Sequence, residues 1–125
     1  MVYSPSRLVM WEIEFYVKPN GRCPAREFLN SLSVHDDVPF VDRMFSLLAE
    51  YGHELRRPYV DFLQEDIWEL RVKTRRGQIR FLYFYFMDKR IVITHGIIKK
   101  ASKVPVSEIK KAIEYRSDYL SQYKA

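Results

Sequence analysis

The chain predicts a small α+β domain in the order β-α-α-β-β-β-α, built on a mostly antiparallel sheet. Three observations carry this. Ile67 to Lys100 holds three strand-like runs in succession, separated by polar turns. Helix-period segments lie on both sides of it, two before and one after. A length of 125 residues with 47% apolar composition supports one folded core and leaves no room for a second. The helices are expected on one face of the sheet, leaving the other as an open basic face.

Residues 1–10, mixed and containing Pro5, read as a poorly ordered lead-in, so the domain is placed at 11–125. From Trp11 to Val17, apolar Trp11, Ile13, Phe15 and Val17 alternate with Glu12, Glu14 and Tyr16, the period of a strand. Lys18-Pro19-Asn20-Gly21 ends it. Pro24 suits a first helical turn, and Ala25 to Leu32 follows with Phe28, Leu29 and Leu32 as its apolar stripe. Val41, Met44, Phe45, Leu48 and Tyr51 repeat at helical spacing, and Gly52 stops that second helix. His53 to Asp66, with Pro58 and both charge signs, reads as a loop with at most one irregular turn.

The meander follows. Ile67 to Lys73 alternates Trp68, Leu70 and Val72 with Glu69, Arg71 and Lys73, a half-buried strand. Gln78 to Phe86 is apolar on both parities, as a central strand covered on two faces would be. Met87-Asp88-Lys89 turns the chain into a third strand, Arg90 to Ile98. Ser102 to Pro105 breaks it again, and Val106 to about Tyr119 closes the domain as a helix carrying Ile109, Ala112 and Ile113. The first strand has no hairpin partner beside it, so the helical pair must carry it to the side of the meander.

The basic character belongs to the sheet. Between Ile67 and Lys100 nine lysines and arginines face only Glu69 and Asp88, while the whole chain carries a net +5. A basic patch on a domain of pI near 9.3 points to a polyanionic partner, nucleic acid first. The single Cys23 excludes an intramolecular disulfide, and His35, His53 and His95 lack zinc-ligand spacing. Gly21, Gly52, Gly77 and Gly96 are scattered, so there is no phosphate-cradling glycine loop, and serine-nucleophile motifs are absent. No cofactor and no metal are expected. Without a signal-peptide-like start or a run approaching a membrane span, the chain is expected to be cytoplasmic and to have no membrane partner.

The face carrying Arg71 and Arg80 is where chemistry is expected. If Arg75 and Arg76 alone form the loop, Arg71 lies directly across from Arg80, with Cβ atoms roughly 5 Å apart. Two guanidiniums that close need an anion between them. A three-residue loop containing Gly77 shifts the register by one and removes the pair. Against the functional reading stands a plain one, in which each arginine has a carboxylate neighbour, such as Glu69 beside Arg71, and solvates a strand. Lys73 shares the parity of Arg71, and Lys99 with Lys100 ends the third strand. Together these cations can grip a phosphate, the arginines by paired hydrogen bonds and the lysines as point charges. Such a pocket suits phosphodiester cleavage by an adjacent 2′-hydroxyl. His95 carries two readings, an acid or base near neutrality or a packed strand residue. Arg75, Arg76, Lys103 and Tyr115 are the expected RNA contacts, Tyr115 by stacking on a base or else by helix packing.

IWELRVK, GQIRFLYFYF and ITHGIIKKASKVPVSEIKKA together resemble the RelE/ParE toxin superfamily, and within it the phage-related HigB-like (host inhibition of growth) branch. The resemblance runs from Trp11 to about Tyr115. It implies a RelE-like fold and the toxin half of a type II toxin-antitoxin system, similar to RelE in being a ribosome-dependent mRNA interferase. The partners it implies are the ribosome A site with its mRNA and a cognate helix-turn-helix antitoxin. Carried over by motif, the active site is Arg71, Arg80, Lys99 and Lys100, with His95 in the same motif. The loop before WELR often supplies a lysine in these toxins; here it holds Asp61 and Phe62, which makes Lys73 a candidate substitute. The ParE side of the superfamily keeps the fold but inhibits DNA gyrase without a nuclease site, and a degenerate prophage remnant would retain only antitoxin binding.

Overall fold

The meander is the centre of a five-stranded sheet. The computed structural model describes residues 10–75, 77–100 and 102–124. Its elements are β1 (Glu12–Phe15), α1 (Pro24–Asn30), α2 (Val38–Tyr51), β2 (Val60–Gln64), β3 (Ile67–Lys73), β4 (Gln78–Phe86), β5 (Arg90–Lys99) and α3 (Val106–Lys124). Residues 1–9 of the expected lead-in, and Arg76, lie outside the described residues.

The sheet order is β1-β5-β4-β3-β2. As expected, the helical pair carries β1 to the meander, where it pairs in parallel with β5, while the other pairings are antiparallel. Gly52 ends α2 at φ +52, a left-handed conformation, and the Trp11 indole packs against its bare Cα.

Two features differ from the sequence reading. The segment before Ile67 is not all loop: after a short 3-10 turn at Gly52–Glu54 the chain forms β2, an edge strand paired with β3. Its turn, Glu65-Asp66, has both residues in the left-handed region (φ 46 and 66), the geometry of a type I′ hairpin turn, but without the glycine or asparagine that usually marks one. The second difference is the placement of α3. Helices α1 and α2 cover the face bearing Leu70, Val72, Ile79, Phe81, Tyr83, Ile91 and Ile93. Helix α3 packs on the opposite face, over Ile67, Leu82, Phe84 and Val92. Apolar side chains on both parities of β4 require cover on both sides. The open face is therefore confined to one end of the sheet, beyond α3.

Candidate functional site

At that open end the residue types change from apolar to charged. Arg71 pairs with Arg80, and Arg80 with Ile97; one step further out, Lys73 pairs with Gln78, and Gln78 with Lys99. The Thr74 amide donates to the Gly77 carbonyl at 2.9 Å, closing the turn that sets this register. Gly77 sits at φ +156. The two-residue loop is thus the one adopted, and the two arginines face each other.

The anion between them is built in. Glu69, one pleat back on β3, lies with one carboxylate oxygen 3.1 Å from Arg71 Nη2 and the other 3.1 Å from Arg80 Nε. The Arg80 side chain is only 5% exposed and that of Glu69 7%, so this is a buried pair. The Arg80 Nε–H is poorly aligned with the Glu69 carboxylate oxygen, and among the described residues neither of these two atoms has a hydrogen-bond partner. Arg80 also donates to the Ile79 carbonyl at 3.1 Å and to the Gln78 amide oxygen at 2.8 Å. Burial pushes its pKa below the ordinary arginine value, and Glu69 opposes the shift.

Arg71 is more open, with a side chain 30% exposed, and has a second acid in Asp61 of β2 at 3.2 Å. Asp61 also pairs with Arg57 at 3.1 Å. Asp61 thus places an acid at the rim of the arginine pair. With Glu69 and Asp61 balancing the two arginines, the excess positive charge in this row comes from Lys73 and Lys99. Lys99 senses the pair, since burial and then the Arg80 and Arg71 guanidiniums push its pKa below the ordinary lysine value.

The other expected site residues lie elsewhere. His95 is buried two positions back along β5, across from Leu82. Its Nε2 lies 2.9 Å from the Glu108 carboxylate of α3, and its Nδ1 3.0 Å from the Thr94 hydroxyl. The carboxylate accepts the Nε2–H, while the Thr94 hydroxyl beside Nδ1 donates its proton to the Leu82 carbonyl at 3.1 Å. Burial pushes the His95 pKa below 6.5, against the raising effect of Glu108. This histidine lines a second cleft, with Lys18, Arg22, Glu108, Lys111 and Tyr115. Tyr115 stacks on Tyr16 with ring centroids 4.8 Å apart and meets His95 edge-on, so one of its ring faces is taken. Lys100 and Lys103 are exposed beyond the end of β5, and Arg75 is exposed in the β3–β4 turn.

The model of the family described as Phage derived protein Gp49-like (DUF891) matches residues 27–117. The chain belongs to this family. The Gp49-like proteins are a phage-derived, RelE/ParE-like toxin family. The Gp49-like region begins within α1, leaves β1 outside, and includes Arg71, Lys73, Arg80, His95, Lys99 and Lys100. Among curated proteins none matches this Gp49-like chain. No helix among the described residues is long and apolar enough to cross a membrane.

Glu69 and Asp61 carry little signal in the sequence. Glu69 is legible there as a neighbour of Arg71; its contact with Arg80 depends on how the carboxylate spans two strands. Asp61 reaches the site only because β2 exists.

Proposed function

We propose that this chain is the toxin of a type II toxin-antitoxin pair, neutralised by a helix-turn-helix antitoxin, and that it acts as a HigB-like, ribosome-dependent mRNA interferase. The observation that carries the reading is the convergence of Arg71, Arg80, Lys73 and Lys99 in neighbouring positions of β3, β4 and β5, beyond the residues on which α3 packs. Arg71 and Lys73 hold the scissile phosphate from the exposed side, and Arg80, fixed by Glu69 and Gln78, completes the cationic floor. Lys99, whose pKa is lowered, takes the proton of the adjacent 2′-hydroxyl. The 2′-oxygen attacks phosphorus, the bond to the 5′-oxygen breaks, and the Lys73 ammonium returns a proton to that leaving oxygen. The products are a 2′,3′-cyclic phosphate and a 5′-hydroxyl, and no metal enters the step.

The test is a reconstituted translation reaction in which message ends are mapped by primer extension, with wild type beside Lys99→Gln and Arg80→Ala. Cuts that need ribosomes and disappear in both variants, each checked for folding, are expected. Intact message with folded wild-type protein would overturn the reading. One observation favours a second reading: Glu69 and Asp61 already neutralise both arginines. A ParE-like inhibitor of gyrase needs no free phosphate grip, and its toxicity would appear as DNA damage and survive Lys99→Gln.

A further inference from the structure

A groove of about 510 Å³ adjoins the arginine pair, reaching from α2 past the Pro58-Tyr59 segment to Arg71, Lys73, Gln78 and Arg80. Part of its wall is apolar. Phe40, Met44 and Leu47 line it from α2, together with Pro58 and Tyr59 from the segment before β2. Tyr59 is 45% exposed although the chain has a full core available, and its carbonyl is fixed by the Arg71 amide at 2.8 Å. Arg43, exposed on α2, adds a cation to the rim. The volume lies within the range of small-ligand sites, and the mixture of apolar walls with a few convergent polar groups is what such sites show.

We propose that this groove is a nucleotide subsite, receiving the unstacked base next to the phosphate held at Arg71. The assignment rests on the interferase reading for which phosphate is held, but the groove's own chemistry selects the ligand. An aromatic ring beside apolar side chains offers a stacking surface for a base, and Arg43, in the lining of the same groove, takes the next phosphate along the strand. Gln78 supplies the discrimination. Its amide oxygen accepts from Arg80 Nη2 at 2.8 Å, which fixes the side chain and leaves its amide NH2, a donor, for a ligand in the groove. That fixed orientation favours a base presenting an acceptor on the edge that reaches Gln78. An acidic, partly apolar protein segment would satisfy the cations and the walls, but it would not need the oriented Gln78 donor.

The probe is a fluorescein-labelled 2′-O-methyl tetranucleotide, which cannot be cleaved by 2′-hydroxyl attack, titrated against the full chain with each base varied in turn. Tyr59→Ala and Leu47→Glu are expected to weaken binding about tenfold, the scale of one lost base stack. Gln78→Leu is expected to flatten the base preference at one position and to redistribute the cut sites in the translation assay. Binding by all three folded variants within twofold of wild type, with unchanged preference, overturns the subsite. So does failure of the wild type to bind the tetranucleotide. Unchanged RNA binding combined with loss of neutralisation by the antitoxin would assign the groove to an acidic protein segment instead. If message stays intact in translation while tetranucleotide binding still requires Tyr59 and Gln78, the interferase reading falls and the subsite stands.

Discussion

Glu69→Gln is the most informative single change, because it keeps the shape of the site and removes only the charge that two arginines share. In the wild type, one carboxylate lies 3.1 Å from both Arg71 and Arg80. The two arginines lose different amounts. Arg71 is 30% exposed and keeps Asp61 at 3.2 Å, so its share of the loss is about 0.5–1 kcal/mol, the scale of a partly solvated pair. The Arg80 side chain is 5% exposed and keeps only neutral oxygens, from Ile79 and Gln78. Leaving a buried charge without its counter-ion costs about 3 kcal/mol or more. The sum is about 3–4 kcal/mol, which in a domain of this size lowers Tm by about 10–15 °C. Urea or thermal unfolding of wild type, Glu69→Gln, Arg80→Met and the double variant measures it. The double variant should be more stable than Glu69→Gln alone, since it removes the orphaned charge. If the site holds phosphate, millimolar inorganic phosphate should stabilise Glu69→Gln more than wild type, because the anion then binds where the carboxylate charge was. A loss below about 1 kcal/mol for Glu69→Gln would refute the buried-pair argument.

Other outcomes follow from the geometry. Gly96→Ala places a methyl group 2.4 Å from the Phe28 ring and 2.8 Å from that of Phe81, and is expected to cost about 1–3 kcal/mol in unfolding experiments. Glu65→Asn, at φ +46 in the β2–β3 turn, is expected to raise stability by about 0.5 kcal/mol by easing a left-handed residue, read as a higher urea midpoint at unchanged slope. Burial holds the pKa of both His53 and His95 below the usual 6.5, so the unfolded chain takes up protons first as pH falls. Stability should be flat above about pH 7 and decline from about pH 6.5 downward, until the folded-state values are passed; His95→Gln should reduce that slope.

The elements with a strong period were readable in advance. The alternation in β3 fixed which residues share a face, and the two arginines of the β3–β4 turn fixed their register once a two-residue loop was assumed. The helices were marked by Pro24, the spacing of Val41, Met44 and Leu48, and Gly52. Strand β2 was hidden for a local reason: Asp61 interrupts a short apolar run, and Glu65-Asp66 adopts a left-handed turn with residues that do not advertise it. The position of α3 is implicit in β4, whose second apolar face needs a cover, although the helix's own sequence does not say which face it takes.

The sequence by itself determined four of the five strands, the basic row on β3 and β4 and the membership of a toxin-like family, because these depend on local periodicity and on residue types a few positions apart. Only the tertiary structure decided how the charges are shared. Glu69 balances the charge of Arg80 from the neighbouring strand, Asp61 reaches Arg71 from an edge strand, and Glu108 of α3 holds His95. Coulomb interactions act through a few ångströms of space whatever the separation along the chain. Whether a cation is free for a ligand or already paired is therefore settled by packing.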